Sequence, residues 1–312
     1  MMGMEIDSFL EYLQDVKRYS PHTLAAYAKD LNQFVEFCEK IELIGEWKEV
    51  TPKMVRRFEA GLMTGGLEFG EGEHARRPKA MTARSVCRKL SSIRSLFGYL
   101  MREGIVEDDP VELVLPPKIG KKLPVFVPTD EMDELLKKKF NPNDFSMLRD
   151  FMILEVAYCT GMRRAELVGL KVEDADMSGK VFRITGKGNK QRLVPMLEEM
   201  QGDMELYLKK REAIVNRRGR HSSFFITDAG APANEQYIYR HVKKCLDHVH
   251  ALSKRSTHVL RHSFATALLN NEANIEAIRK LLGHSSLAAT QVYTHNSFEN
   301  LKRVYNHAHP RA

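Results

Sequence analysis

Between residues 115 and 128 the sequence runs LPPKIGKKLPVFVP, with four prolines and three lysines. No helix passes through such a segment, because proline lacks a backbone donor and pushes the residue before it out of the helical region. A chain of 312 residues cut here falls into two parts, each near the usual ~100–200 residues of a domain. We expect a first domain over 1–114, a linker over 115–128 and a second domain over 129–312. With 43% hydrophobic and 29% charged residues, both parts can bury a core, which excludes a disordered or fibrous chain.

Charge is unevenly shared. The net charge is +7, yet residues 1–115 carry 16 basic against 19 acidic side chains and residues 116–312 carry 32 against 22. An anionic partner is therefore to be sought first on the second part. Cys38, Cys87, Cys159 and Cys245 are scattered without CxxC spacing, so neither a disulfide framework nor a zinc knuckle is indicated, and a reducing cytosol fits. No run approaches ~18 consecutive apolar residues, and the opening MMGMEIDSFLEYL lacks a secretory pattern. We expect a cytoplasmic protein with no membrane association.

Apolar spacing from Ile6 to Cys38, broken at Ser20-Pro21, predicts two helices with Ser20 as cap and Pro21 at the first helical position. A shorter helix is expected from Thr51-Pro52. The segment TGGLEFGEGEHARRPKA (64–80) has no periodicity and reads as an exposed loop. From Thr82 to Met101, Val86, Leu90, Ile93, Phe97 and Leu100 form one apolar stripe, while Arg84, Arg88, Ser91 and Ser95 lie on another face. Between His74 and Arg102 there are eight Lys/Arg and no acid, so this helix either lies against phosphates or presents a solvated basic face.

In the second part, Thr129 is the expected cap of a helix reaching Leu136, and an apolar helix over 145–159 ends at Thr160-Gly161. An Arg-containing helix follows over 162–169. VFRIT (181–185) and KQRLVP (190–195) around Gly186-Lys187-Gly188-Asn189 read as a hairpin, with further helices over 197–216, 234–250, 258–270, 274–282 and 286–294. The expected fold class is mainly α (α+β), two-domain, with one small antiparallel sheet.

Four stretches place polar groups where packing alone would not require them. In TGMRRAEL (160–167), Arg163 falls in the first turn of a helix ahead of Glu166, where a carboxylate can hold the guanidinium toward an anion, or the two form an ordinary surface pair. In GKGN, Lys187 stands at a hairpin tip, which by itself also suits a plain type I′ turn. In THVLRHSFATALL (257–269), His258 and Arg261 share a helical face. His258 and His262 have zinc-helix spacing, but the HExxH glutamate is missing and no third ligand is evident. In IRKLLGHSSLAATQVYTH (278–295), Gly283 ends a helix, His284 lies in the turn and Tyr293 comes two turns later.

Together these residues suit one reaction, attack of a tyrosine on a DNA phosphodiester without metal. Charge builds on the non-bridging oxygens as phosphorus becomes pentacoordinate, and the fixed guanidiniums of Arg163 and Arg261 stabilise it more than the ground state. Tyrosine, with an ordinary pKa near ~10, needs an imidazole and cationic surroundings to lose its proton. Lys187 suits the donor to the leaving 5′-oxygen.

The chain resembles the tyrosine recombinase (phage integrase) family, and within it the bacterial Xer recombinases. The likeness is carried by SPHTLAAYAKDL (20–31), RKLSSIRSLFGYLMREG (88–104), EDDPVELVLPPK (107–118) and, in order, TGMRRAELVGL, TGKGNKQRLVP, HVLRHSFATALL and LLGHSSLAATQVYTH, with HPRA at the end. The resemblance implies a SAM-like core-binding domain, a catalytic domain and a clamp on double-stranded DNA. It implies a site of Arg163, Lys187, His258, Arg261 and His284 with Tyr293 as nucleophile, a 3′-phosphotyrosyl intermediate and no cofactor. Family members act as homo- or hetero-tetramers through a Holliday junction, with the C-terminal helix docked on a neighbouring protomer, here LKRVYNHAHPRA (301–312). A Xer-type role at a dif-like inverted-repeat site is expected, since no arm-binding domain precedes the first helices. An integrase or resolvase of a mobile element, a non-catalytic DNA binder and an activating DNA translocase stay open. The loop 64–80 is longer and more charged than the family pattern.

Overall fold

Hydroxyls start three of the helices in the first part of the chain. Ser20 Oγ accepts the Thr23 N–H at 3.3 Å, and Pro21 opens α2 (Pro21–Lys40), where its missing N–H costs nothing. Thr51 caps α3 (Pro52–Thr64) and Thr82 caps α4 (Ala83–Arg102) in the same way; α1 (Met2–Asp15) precedes them. The computed structural model describes residues 2–67, 79–120, 124–137, 141, 143–249, 252–283 and 295–311. It divides into two compact units, Met1–Lys122 and Leu123–Ala312.

In the first unit the stripe of α4 faces the core. Val86, Leu90, Ile93, Phe97 and Leu100 are all buried, among Phe34, Phe37 and Phe58, and Trp47 meets Phe97 edge-on at 5.7 Å. The other face of α4 is less unbalanced than its own sequence suggests. Asp30, buried on α2, pairs with the buried Lys89 at 2.7 Å and also with Arg88. This buried pairing ties α2 to α4, because removing either partner strands a charge. Ser91 Oγ donates to the Cys87 carbonyl at 2.8 Å, and Ser95 is half-buried beside Tyr27. Arg84, Arg88 and Ser91 stay exposed.

The second unit is organised on α6 (Phe145–Thr160). Asp144 Oδ1 accepts the Met147 N–H at 3.1 Å to start it, and nearly every side chain from Leu148 to Thr160 is buried. Around it pack α8 (Glu199–Arg218), α9 (Glu235–Leu246) and α10 (Thr257–Asn270). Ahead of it, α5 (Thr129–Lys137) begins on Thr129 itself, one residue earlier than expected of a cap. Strands β1 (Ala175–Asp176), β2 (Val181–Thr185) and β3 (Gln191–Pro195) form an antiparallel sheet in that order, with Thr185 opposite Gln191. The two-residue β1 is too short to show a period in sequence.

Two sequence expectations need correction. The hairpin end is not a two-residue type I′ turn but a loop over 186–190, closed by Gly186 N–H to the Lys190 carbonyl at 2.8 Å, with φ +73° at Gly188 and +58° at Asn189. The helix α7 (Arg164–Gly169) starts two residues late, leaving Arg163 as its N-cap rather than inside the first turn. The helix expected over 286–294 lies outside the described residues.

The last elements are α11 (Ile275–Leu282) and α12 (His295–Ala308). The tail that the family resemblance assigns to a neighbouring protomer here covers its own unit. Tyr305 is buried and donates to the Cys159 carbonyl at 2.8 Å, the Ala308 carbonyl accepts from Asn271, and His309 packs on Tyr158 and Tyr305. Arg311 reaches the fully buried Glu155 at 2.5 Å and Glu199 at 3.1 Å.

Burial pushes the Glu155 carboxyl up to about 7 even beside Arg311, with Asp203 and Glu199 adding to the rise. A folded value above the unfolded one means that this group's contribution is fully present below about pH 4.5 and is lost as pH rises through about 7. His309, pushed down to about 3 by burial and by Arg311, stays neutral across that window. Arg311→Met is therefore expected to destabilise the unit by on the order of 3 kcal/mol at about pH 8. The gap to the parent should narrow toward about pH 5.5, where a protonated Glu155 needs no cation. Urea unfolding at the two pH values reads this, and a gap independent of pH would contradict it. Among the described residues no helix is long and apolar enough to cross a membrane.

Candidate active site

The site starts where α6 stops. Gly161 takes φ +59°, and a Cβ there would lie 2.6 Å from Phe264 Cδ1 and 2.9 Å from Leu282 Cδ2, so glycine is what lets α10 and α11 close on this turn. Two residues on, Arg163 caps α7 in an unusual way. The carboxylate of Glu166 reaches back to its N–H at 2.8 Å and to its guanidinium at 2.9 Å. The Arg163 side chain remains 45% exposed while that of Glu166 is only 4% exposed, so a buried carboxylate presents a solvent-facing cation. The ordinary surface pair is thereby ruled out.

Glu166 has a second partner that sequence reasoning missed. Arg192 of β3 binds it through both terminal nitrogens, at 3.0 and 2.8 Å, and is itself buried. The signal was present in strand alternation, which puts Arg192 on the same inner face as the buried Val194, where an apolar residue is the norm. Burial alone would raise the Glu166 carboxyl, but Arg192 and then Arg163 hold it below the usual carboxylate range.

Arg261 enters from α10. It is buried, and its Nη1 and Nη2 donate to the carbonyls of Gly161 and Leu282, each at 2.6 Å. Burial, with the neighbouring cations Arg163 and Arg192, pushes its pKa down to about 10, which still leaves it protonated at neutral pH. Two guanidiniums, Arg163 and Arg192, thus share one carboxylate, a third, Arg261, is held nearby on carbonyls, and the surplus of positive charge suits an anion. One turn before Arg261 on the same helix, His258 is exposed, and its Nε2 lies 3.1 Å from Nε2 of His262. Among the described residues no group of three or more His, Cys, Asp or Glu is placed to hold a metal ion.

Arg163 and Arg261 therefore meet at the turn after α6, the hairpin loop adjoins them through its base, and His258 lies one turn from Arg261, in contact with His262. A Cβ on Gly186 would sit 3.3 Å from Glu166 Oε1, so the backbone leading into Lys187 abuts the same carboxylate. His284 and Tyr293 lie outside the described residues. Gly283, just before His284, caps α11 with φ +65° and packs on Arg192.

Comparison with known proteins bears on this arrangement as a whole. Residues 126–300 match the phage integrase family, and residues 6–104 match the phage integrase N-terminal SAM-like domain. The chain is 36% identical to the tyrosine recombinase XerC of Listeria innocua serovar 6a, over 97% of each chain. It is 33% identical to that of Chlorobaculum parvum, over 98% of this chain and 94% of the relative. It shares its fold with the XerH site-specific recombinase in a pre-cleavage complex with its difH substrate, with a TM-score of 0.65, 22% identity, and coverage of 96% of this chain and 82% of that one. The matches run through both units and take in the turn, hairpin and helix that bring the guanidiniums together, and on them the chain belongs to the phage integrase family, the tyrosine recombinases.

Proposed function

We propose that this tyrosine recombinase is a cytoplasmic, Xer-type enzyme that resolves chromosome dimers at a dif-like inverted-repeat site. The observation that carries the chemistry is the surplus of fixed positive charge at the turn after α6, where Arg163 and Arg192 share the carboxylate of Glu166 and Arg261 is held on the Gly161 and Leu282 carbonyls. In this reading Tyr293 Oη attacks the scissile phosphorus, passing its proton to an imidazole of His258 or His284, as the bond to the 5′-oxygen breaks. Lys187 protonates that oxygen, and Arg163 and Arg261 stabilise the charge on the non-bridging oxygens. The product is a 3′-phosphotyrosyl link and a free 5′-hydroxyl, which attacks the partner strand's link with no external energy source. Arg84, Arg88, Ser91 and Ser95 on α4 are proposed to lie along the DNA backbone. A tetramer of recombinase protomers, self-paired or mixed, completes the assembly, and for it α12 and the tail would have to leave the cis contact with Glu155 and Cys159.

The Xer-type role is supported by relatives named tyrosine recombinase XerC that align along nearly the full chain, and by the shared fold with XerH bound to difH. The test is to recover bound genomic fragments and place two directly repeated copies in a supercoiled plasmid. The expected result is resolution into two circles at one chromosomal inverted repeat. Selection of the ends of an integrated element instead would contradict the chromosomal role.

A further inference from the structure

Arg192 bonds to two separate parts of the site and lies near a third. Its terminal nitrogens hold Glu166, which holds Arg163. Its Nε donates to the Leu281 carbonyl at 2.7 Å, beside the Leu282 carbonyl that Arg261 holds, so two guanidiniums grip the end of α11. A Cβ on Gly283 would lie 3.0 Å from Arg192 Cδ, and one on Gly186 would lie 3.9 Å from its Nη1. One side chain therefore holds the Arg163 turn, through Glu166, and the end of α11, and passes close to the base of the Lys187 loop.

Stability alone does not call for arginine at this inward strand position, since a buried ion pair is often matched or exceeded by apolar residues of similar volume. What an apolar residue cannot do is fix a carboxylate in a bidentate fork while also donating to a carbonyl on another helix. We infer that Arg192 is a positioning residue for DNA cleavage, aligning the Arg163 guanidinium through Glu166 and fixing the end of α11 at Leu281 and Gly283. The inference rests on the recombinase reading above.

The experiment is a double-mutant cycle on covalent adduct formation with nicked suicide DNA, using Arg192→Lys and, as an apolar alternative, Arg192→Met. Each is combined with Arg163→Lys, and thermal unfolding and DNA affinity are measured alongside. In the parent background either change at Arg192 is expected to slow adduct formation about tenfold to a hundredfold, the scale of a small misplacement of a catalytic group. DNA affinity should stay within about threefold, and in the Arg163→Lys background the loss should shrink below about threefold, because both changes break one chain of contacts. Multiplying effects, a parallel fall in DNA affinity, or loss of folding in both variants would make Arg192 structural only and overturn the inference. The cycle is read on total adduct whichever residue carries the DNA, so a nucleophile other than Tyr293 would upset the assigned function and leave this result standing. A parent protein that forms no adduct would reject the function and this role together.

Discussion

Arg261→Lys is expected to slow single-turnover cleavage of suicide DNA by about a hundredfold or more, the usual cost of removing a fixed donor to a developing oxyanion. The guanidinium spans the Gly161 and Leu282 carbonyls at 2.6 Å each, and so fixes the turn after α6 to the end of α11. An ammonium has no planar fork with which to bridge them. Burial also works against lysine there more than against arginine, since the same surroundings that push Arg261 down to about 10 would deprotonate a weaker base more readily. DNA affinity should stay within about threefold, because backbone contacts elsewhere carry most of the binding. A variant that cleaves at the parent rate, or one whose slower cleavage is fully accounted for by weaker binding, would contradict the role given to Arg261.

Tyr293→Phe is expected to abolish the SDS-resistant protein–DNA adduct and all strand exchange while leaving DNA binding intact. The substitution removes one oxygen atom, the one that attacks phosphorus, and no neighbouring donor can replace a missing nucleophile. The loss should be complete to the limit of detection, in contrast to the partial activity expected of the arginine variants. Adduct formation by the Tyr293→Phe variant, read by denaturing gel with end-labelled DNA, would show that another residue is the nucleophile.

Local features of the fold were legible because they are written in neighbouring residues. The Ser20-Pro21 start of α2, the buried stripe of α4 and the pairing of β2 with β3 all follow from spacing or capping within one segment. The less legible features depend on distant partners. No acid lies near Arg88 and Lys89 in sequence, yet Asp30 arrives from α2 and takes both. Arg163 and Arg261 could be chosen by motif, but the carboxylate and guanidinium that connect Arg163 to β3 and α11 emerge only when Arg192 turns inward beside Val194. The tail is the clearest case. The same LKRVYNHAHPRA suits docking on a neighbour or on its own unit, and only the fit of Tyr305 and Arg311 to Cys159 and Glu155 shows the second.

The most direct measurement is peptide mapping by mass spectrometry of the adduct trapped on suicide DNA, with end analysis of the cleaved strand. The predicted result is a single modified residue, Tyr293, joined to the 3′-phosphate of the DNA, with a free 5′-hydroxyl on the other fragment. A link through a 5′-phosphate, a modified residue other than Tyr293, or no covalent species with the parent protein would contradict the proposed chemistry.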